Sequence, residues 1–390
     1  MVESFKFSRV PQIIFGPGTI MELPSIMKSY GRSVLIITGA KSFESGGKSK
    51  KLLNGLEREN LVIHRARVQK EPSPAEVDKI TRRYFNKNIN LVVAIGGGSV
   101  MDTGKAVSAM LISGEGVRDY LEGVGSKVHS GRKIPFIAIP TTSGTGSETT
   151  NNAVISEIGE KGFKKSLRHT NFIPDYAIID PELTLKCNPE ITAASGMDAF
   201  SQLLESYISD KASIFTDSLA VEGLRCISMY LLKVYRDGND LEARGGMAYA
   251  AMVSGITLSN AGLGVVHGFA STLGGYTEIP HGIICGTLMG TANRRNVEVL
   301  CNEGNNNITL NKYATVGKMF IKDTGKSNEY YARAFVDHIE KLITILKLPG
   351  LGCFGIKAEQ ADKIVDSTSL KNNPVSLTRE DLLNILLSRI

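Results

Sequence analysis

Two of the six histidines stand in surroundings that are unusual for an imidazole. His267 lies in the segment GLGVVHGF and His281 in IPHGI, so glycine and aliphatic residues flank both. One interpretation is a pair of core histidines, each satisfied by a backbone carbonyl. The other is a site for a divalent metal ion, in which two imidazoles and a carboxylate bind the ion and leave one position open.

A carboxylate that could join these histidines lies in the segment GMDAFSQLLE. Asp198 and Gln202 are four residues apart in this segment, which places both side chains on one face of a helix. Ser201 and Glu205 extend that face into a continuous polar stripe. Taken alone, such a stripe is typical of a helix face that is exposed to solvent.

A strand, a glycine turn and a helix start follow one another in LVVAIGGGSVMDTGKA, residues 91–106. Glycine lets a ligand approach the main chain, and the free N–H groups at a helix start favour phosphate. The spacing fits neither the GxGxxG dinucleotide fingerprint nor the Walker loop. Nucleotide binding by Gly97, Gly98 and Ser99 is our interpretation, and a plain glycine-rich surface turn is the alternative.

Asp102 and Lys105 lie one turn into the helix that follows these glycines. A carboxylate and an ammonium group at this position could hydrogen-bond to the hydroxyls of a bound sugar. An ordinary ion pair between residues i and i+3 is the alternative.

A second loop rich in Ser, Thr and Gly, PTTSGTGSE at residues 140–148, follows the next strand along the chain. Such clusters usually mark plain loops. This one comes one strand after the first glycine turn, so its hydroxyls and bare backbone could wrap a diphosphate.

The first half of the chain alternates strand patterns with helix patterns. The predicted strands cover residues 12–15, 33–38, 62–68, 91–95, 136–139 and 177–179, and the predicted helices cover residues 18–30, 48–59, 74–86 and 100–112. This alternation indicates a mainly parallel sheet with helices on both faces, which binds ligands at the carboxyl ends of its strands.

Strand patterns nearly vanish after Glu182, and long segments rich in Ala and Leu follow. These helix patterns cover residues 191–207, 215–233, 241–258, 312–320, 328–346 and 379–388. We therefore expect an α/β domain over residues 1–182 and an all-helical domain over residues 183–390. A cleft between them is the expected place for a small-molecule site.

The composition is that of an ordinary globular protein, with 42% hydrophobic residues, 22% charged residues and a net charge of +6. We interpret the basic runs at 48–51 and 161–168 as solvated faces, and expect neither a nucleic-acid nor a membrane partner. The first residues have no apolar core of signal-peptide length, and no apolar stretch approaches the length of a membrane span. A cytoplasmic location is expected.

The five cysteines are scattered, odd in number and without a CxxC pair. This pattern argues for a reducing compartment, and against both a disulfide framework and a thiolate zinc site.

Five segments resemble, in order and spacing, the signature blocks of the iron-containing (metal-dependent, group III) alcohol dehydrogenases: GGGSVMDTGK, PTTSGTGSETT, GMDAFSQLLESY, VVHGFASTLGG and IPHGIICGTL. The resemblance spans nearly the whole chain. It implies a dehydroquinate synthase-like architecture, with an N-terminal dinucleotide-binding α/β domain, an all-α C-terminal domain and assembly into a homodimer or larger homo-oligomer.

The resemblance also implies the chemistry, which is reversible hydride transfer between NAD(P)(H) and an alcohol/aldehyde pair in the cleft. A divalent metal ion assists as a Lewis acid, with Fe²⁺ as the first expectation and Zn²⁺ or Mn²⁺ as alternatives. By position, the metal ligands are Asp198, Gln202, His267 and His281, of which the aspartate and the two histidines are the catalytic residues. The implied cofactor-binding residues are Gly39, Gly97, Gly98, Ser99, Asp102, Thr141, Thr142, Gly144, Thr145 and Gly146.

Two positions depart from the family pattern. Gln202 stands where a histidine usually follows the ligand aspartate, and Ser271 stands where a second histidine usually follows the VHG block. Because an amide oxygen is a poorer ligand than imidazole, we expect Gln202 to be a weak fourth ligand or merely a neighbour of the ion. The missing histidine at Ser271 leaves the family's proton-relay position unfilled.

These departures leave alternatives open. One is a metal-independent reductase of the maleylacetate reductase type, and another is a non-catalytic structural homologue. A dehydroquinate synthase-like or glycerol-1-phosphate dehydrogenase-like enzyme is a third, although the metal blocks lack the added lysines and arginines that a phosphorylated substrate needs.

The choice of cofactor is predicted from the end of the second strand. Gly39, Ala40, Lys41 and Ser42 occupy the place where NAD-preferring relatives tend to carry an aspartate that repels the 2′-phosphate. Since this chain has no carboxylate there and has a lysine, we expect NADP(H) to be accepted.

Overall fold

The computed structural model describes residues 4–39, 56, 61–159, 162–302 and 307–390. The predicted helix at 48–59 lies outside the described residues except for Leu56, and so do the basic run at 48–51 and the segment 40–42.

Six parallel strands form one sheet in the N-terminal half, in the order β1-β8-β5-β4-β2-β3. These strands are β1 (Gln12–Phe15), β2 (Ser33–Gly39), β3 (Val62–Val68), β4 (Leu91–Gly96), β5 (Phe136–Pro140) and β8 (Tyr176–Ile179). The central strands consist almost entirely of buried aliphatic residues, as expected where helices cover both faces. The parallel sheet is confirmed, and each of these strands ends within one residue of its predicted limits.

Three helices accompany the sheet: α1 (Leu23–Lys28), α2 (Pro74–Tyr84) and α3 (Gly98–Ser113). The start of α2 follows from its sequence, because Pro74 occupies the first turn and the hydroxyl of Ser73 accepts a hydrogen bond from the N–H of Glu76. Helix α3 follows β4 directly and is buried along most of its length.

An antiparallel hairpin, which the sequence analysis did not predict, is formed by β6 (Asn152–Glu157) and β7 (Phe163–Arg168). Its second strand holds the described part of the basic run from residue 163 to residue 168, and the interpretation of this part as a solvated face is only partly right. Phe163 and Leu167 pack into the core, and Lys164 lies 3.1 Å from the carboxylate of Glu71 with 9% of its side chain exposed. The adjacent lysines Lys164 and Lys165 interrupted the alternation that would have indicated a strand.

The C-terminal half is helical throughout its described residues. Its helices are α4 (Pro189–Ile208), α5 (Ile214–Arg236), α6 (Leu241–Ala261), α7 (Val265–Tyr276), α8 (His281–Asn302), α9 (Ile308–Phe320), α10 (Asn328–Ile345), α11 (Ala361–Asp366) and α12 (Arg379–Leu387). Helices α7 and α8 were not predicted because their glycines weaken the helix pattern. Those glycines allow close packing instead, since a side chain at Gly268 or Gly282 would overlap neighbouring backbone.

The boundary that we place after Glu182 stays a prediction. In the structure, a single 3₁₀ turn at Pro181–Thr184 separates β8 from α4. No single described helix is long and apolar enough to cross a membrane. Helices α6 and α7 together have the length and composition of a span, but their axes meet at a bend of 98°.

The register of the sheet aligns the ends of the strands that carry the glycine motifs. Gly96 at the end of β4 lies beside Pro140 at the end of β5, and β2, which ends at Gly39, pairs with β4 on the other side. The chain order reverses between β2 and β4, and in open α/β sheets such a reversal opens a crevice for ligands. The two glycine-rich loops therefore start side by side at the carboxyl-terminal ends of the strands.

Candidate active site

The glycine turn after β4 presents unpaired backbone donors. Gly97 caps α3 without a side chain, so the first N–H groups of the helix, at Gly98 and Ser99, have no intrahelical acceptor. The positive end of the dipole of α3 lies at these same N–H groups. These features suit a phosphate group.

The loop at residues 140–148 packs directly on this turn. The N–H of Thr141 donates to the carbonyl of Gly96 at 2.9 Å, and a Cβ at Gly98 would lie 2.6 Å from Cγ2 of Thr145. A Cβ at Gly97 would lie 3.4 Å from Oγ1 of Thr142. The structure thus brings these predicted cofactor residues together.

Two hydroxyls of this loop have no partner in the described structure. Oγ1 of Thr141 and Oγ of Ser143 are buried and make no hydrogen bond. Buried polar atoms are rarely left unpaired in native proteins unless a ligand or water completes them. Together with the bare glycine backbone, they fit a dinucleotide.

The same loop reaches the helical half of the chain. A Cβ at Gly144 would lie 2.7 Å from Cβ of Ser195 on α4, and a Cβ at Gly146 would lie 2.5 Å from Cα of Gly255 on α6. Gly146 also has a positive φ of 61°. Ser195 precedes Asp198 by one helical turn, so the loop lies next to the predicted metal ligands.

Asp102 and Lys105 hold this loop in place. One oxygen of Asp102 accepts from the hydroxyl of Ser147 at 2.5 Å, and the other accepts from the N–H of Val154 at 3.1 Å. The ammonium of Lys105 is fully buried and donates to Ser147, to Thr150 and to the carbonyl of Asn152. The suggestion that Lys105 contacts a sugar is therefore wrong, and cofactor binding by Asp102 stays a prediction.

The predicted metal ligands form a compact group of donor atoms in the cleft. Single donor atoms of Asp198, His267, His281 and Cys285 all lie within 4.8 Å of one another. Oδ1 of Asp198 is 3.5 Å from Nε2 of His267 and 3.8 Å from Nε2 of His281. Sγ of Cys285 is 3.6 Å from each of the two Nε2 atoms.

Glu205, which the sequence analysis placed only in a polar stripe, positions His267. Its Oε2 lies 2.7 Å from Nδ1 of His267, and its Oε1 accepts from the N–H of Val266 at 2.7 Å. One carboxylate on α4 thus fixes the imidazole and satisfies a free donor in the first turn of α7.

The interpretation of the α4 stripe as a solvent-exposed face is wrong. Asp198, Ser201, Gln202 and Glu205 each keep at most 3% of their surface exposed. Helices α6, α7 and α8 supply the groups that face Asp198, Gln202 and Glu205, while Oγ of Ser201 is buried without a hydrogen bond in the described structure. A pattern within one helix does not reveal such neighbours. Burial of a polar stripe is costly unless its members are paired, which makes this face a site.

Cys285 places a thiol in the candidate donor group, which the expectation of no thiolate metal site did not foresee. It lies one helical turn after His281 on α8, so both side chains point to the same face. The expectation rested on the lack of a CxxC pair, but here the other ligands come from other helices. All five cysteines are free thiols, as expected for a chain without a disulfide framework.

Gln202 is buried next to this group, but its oxygen is engaged elsewhere. Its Oε1 lies 2.6 Å from the hydroxyl of Ser254 on α6. Its amide also interacts with Asp198 and helps to lower the pKa of that carboxyl. Gln202 therefore stands beside the donor group and supports it.

The pKa values reflect a buried cluster of opposite charges. Burial tends to raise the pKa of Asp198, but the two histidines outweigh it and the pKa lies below its usual range. Burial tends to lower the pKa of His267, yet Cys285, Asp198 and Glu205 hold it well above its usual range. For His281 burial dominates and lowers the pKa.

The donor set fits a metal ion by its chemistry. Oδ1 of Asp198, which faces Nε2 of both histidines, is buried without a hydrogen bond. An anionic oxygen, two imidazole nitrogens and a thiol at these spacings are ligands that Zn²⁺ and other divalent transition metals bind.

Comparisons with known proteins identify the family. Residues 11–181 match the family described as iron-containing alcohol dehydrogenase, and residues 192–390 match the Fe-containing alcohol dehydrogenase family, C-terminal. NAD-dependent methanol dehydrogenase of Bacillus methanolicus is 30% identical over 384 residues, which are 96% of this chain and 97% of that protein. Alcohol dehydrogenase 4 of Schizosaccharomyces pombe is 32% identical over 386 residues, 96% of this chain and 86% of that protein.

The fold is shared with solved structures over its full length. The alcohol dehydrogenase from Oenococcus oeni superimposes with a TM-score of 0.89 at 27% identity, covering 99% of this chain and 100% of that one. The matches extend over both the sheet and the helical half, and so over every part of the site. The chain therefore belongs to the iron-containing alcohol dehydrogenase family.

Proposed function

We propose that this chain transfers a hydride between NAD(P)(H) and an alcohol/aldehyde pair in the cleft between its sheet and its helices. The observation that carries the proposal is the donor group of Asp198, His267, His281 and Cys285, which lies one helical turn from the loop that contacts the glycine turn. The relatives named above as NAD-dependent methanol dehydrogenase and alcohol dehydrogenase support it.

The chain's own groups bind and orient the reactants. The N–H groups of Gly98 and Ser99 bind the diphosphate. The hydroxyl of Thr141, which has no partner in the described structure, hydrogen-bonds to the cofactor. The residues at the carboxyl ends of β4 and β5 would hold the cofactor, and the space between them and α4 would receive the substrate. During reduction the carbonyl carbon gains a hydride and its oxygen gains a proton, and oxidation reverses both transfers.

Asp198, His267 and His281 would hold the divalent ion, whose Lewis acidity polarises a carbonyl and stabilises an alkoxide. Glu205 fixes the ring of His267 so that Nε2 faces the donor group. Asp198 and His267 are buried and His281 keeps 23% of its side chain exposed, so the site is open to a substrate on only one side of the donor group. Electrostatic interactions with the reacting oxygen are stronger where water is excluded.

The fourth ligand is Cys285 and not Gln202. Ligands about 2.0–2.3 Å from a tetrahedral ion lie about 3.3–3.8 Å from one another. The distances of 3.5, 3.6, 3.6 and 3.8 Å among the oxygen, the sulfur and the two nitrogens fall in this range. Gln202 turns its oxygen to Ser254, and a thiolate with tetrahedral spacing favours Zn²⁺ among the ions considered.

The ligand assignment predicts a distinct optical signature. Wild-type protein loaded with Co²⁺ should show the near-ultraviolet charge-transfer absorption of a cobalt–thiolate bond, and Cys285→Ser should lose it and bind Co²⁺ at least tenfold more weakly. Gln202→Ala should keep the absorption, because Gln202 is not a ligand. Gln202→His should raise metal retention, since imidazole is a better ligand than an amide. His281→Ala removes a ligand and should lose both the metal and the turnover. The matched control is Cys353→Ser, which changes an exposed thiol. An unchanged absorption in Cys285→Ser would exclude the sulfur ligand.

The cofactor site predicts the effect of a side chain at Gly98. Gly98→Val should abolish NAD(P)H binding in titration calorimetry, because the new side chain occupies the space of the diphosphate and pushes against Thr145. Circular dichroism checks that the variant is folded. The control is Gly245→Val, where a Cβ would meet only Pro181, at 3.9 Å. If folded Gly98→Val binds the cofactor normally, the site has been misplaced.

Cofactor choice is tested at Gly39, where β2 ends. We propose that NADP(H) is accepted, because no carboxylate at this position repels the 2′-phosphate. Gly39→Asp should lower the ratio of kcat/KM for NADPH to that for NADH at least tenfold, and Gly39→Asn, which is of equal size but uncharged, should not. An equal loss of activity with both cofactors in Gly39→Asp would refute the charge argument.

The oligomeric state and the cellular location stay proposals. Assembly into a homo-oligomer is supported by the family resemblance, and a cytoplasmic location by the cysteine pattern and the composition of the sequence. The metal-independent alternative remains the outcome to expect if chelated protein, confirmed metal-free by elemental analysis, retains full activity.

A further inference from the structure

A lysine ammonium lies beside the donor group and has no counter-ion. Nζ of Lys371 donates to Oγ of Ser271 at 3.1 Å, and this is the one hydrogen bond that its side chain makes in the described structure. Ser271 lies one turn after His267 on α7 and donates its own proton to the carbonyl of His267 at 2.7 Å. The ammonium is therefore held at Ser271, which follows His267 by four residues, a rise of about 6 Å along α7.

The segment that carries Lys371 is fixed on both sides. The N–H of Asn372 donates to the carbonyl of Leu263 at 2.9 Å, and the side chains of Asn373 and Asn296 exchange hydrogen bonds of 2.9 and 3.2 Å. The missing side chain of Gly268 lets the carbonyl of Ser369 rest on α7. Lys371 is thus presented to the cleft by an anchored backbone.

No carboxylate near Lys371 is free to pair with it. Glu205 is the acidic group that acts on it, but both oxygens of Glu205 are occupied by Val266 and His267. Lys371 forms no ion pair with any residue in the described ranges. Its side chain is exposed to solvent. Exposure and a missing counter-ion leave this charge available to a ligand.

The hairpin adds further positive charge to this part of the cleft. Lys371 is exposed at the surface, yet the protein atoms around it reduce its hydration and lower its pKa. The cations Arg168 and Lys165 on β7 lower the pKa further, and Glu205 and Cys285 oppose this effect. Arg168 pairs with Glu122 at 2.8 Å, and Lys164 on the same strand pairs with Glu71. Lys371 and Lys165 remain as charges without a partner carboxylate in the described structure.

We propose that Lys371 binds an anionic group on the substrate, so that the preferred aldehyde or alcohol is a short chain that ends in a carboxylate, sulfonate or phosphonate. This inference rests on the proposed function and adds the substrate class. The short distance along α7 limits the chain to a few carbons between the reacting carbon and the anion. Ser271, where relatives carry a histidine, leaves the room that the anion occupies.

The test compares aldehydes that differ in charge. Butanal is neutral, 4-oxobutanoate carries a carboxylate, sulfoacetaldehyde a sulfonate, phosphonoacetaldehyde a phosphonate, and betaine aldehyde is cationic. At low salt, wild-type enzyme should have a kcat/KM for at least one anionic aldehyde that is tenfold or more above that for butanal, and should reject the cationic one. The three anionic arms identify which group is bound.

The variants assign the preference to the ammonium. Lys371→Met should lower the ratio of kcat/KM for the preferred anion to that for butanal at least tenfold, mainly through KM. Lys371→Arg should retain most of the ratio, and Lys371→Glu should lower it further. Lys347→Met is the matched control, because Lys347 is the other described lysine with a left-handed backbone, at φ 55° against 54° for Lys371, and it follows α10.

Two results would overturn the inference. One is a wild-type enzyme that reduces butanal but shows no preference for any anionic aldehyde. The other is a Lys371→Met variant that loses kcat equally for all aldehydes, which would assign the lysine to proton transfer. Failure of metal-loaded wild type to reduce any aldehyde would instead contradict the proposed function itself.

Discussion

The carboxylate of Glu205 is the constraint on which the site depends. It receives a backbone donor from the first turn of α7 and Nδ1 of His267, so one buried charge sets both the start of a helix and the direction of an imidazole. Charge-assisted bonds of this kind are roughly twice as strong as neutral ones, and removing one buried partner leaves the other uncompensated. Nε2 of His267 can then only face Asp198 and Cys285. A proton and a metal ion compete for this arrangement, because the ligands bind metal in their deprotonated forms.

The other half of the site depends on Lys105. Its ammonium draws together the segments around Ser147, Thr150 and Asn152, while Asp102 holds Ser147 and Val154 from the same helix. The loop so held contacts the glycine turn on one side and Ser195 on the other. The position of the loop relative to the donor group is therefore set by a buried polar network centred on Lys105 and Asp102.

Much of the fold could be predicted because strand and helix periods are local properties of the sequence. The six parallel strands and the helical second half follow from them, and family-like blocks identified Asp198, His267 and His281. The hairpin escaped because Lys164 and Lys165 interrupt its pattern, although the aliphatic part of Lys164 is covered and its charge is paired. The burial of the α4 stripe was missed for a related reason. Whether a polar face meets water or another helix is decided by tertiary packing.

Cys285 and Lys371 were beyond the reach of motif reasoning. A cysteine and a histidine four residues apart on a helix join a candidate metal-binding group only when Asp198 and His267 arrive from other helices. Lys371 reaches α7 from a loop that is 100 residues further along the chain than Ser271. Contacts between residues so far apart in the chain produce no recognisable spacing in the sequence. They are seen only in the folded structure.

The most direct test of the account is an anomalous difference map from crystals of the Zn²⁺-loaded protein, recorded at the zinc absorption edge. The account predicts one strong peak about 2.0–2.3 Å from the donor atoms of Asp198, His267, His281 and Cys285. Crystals without a peak among these side chains, obtained from protein that still reduces aldehydes, would contradict it.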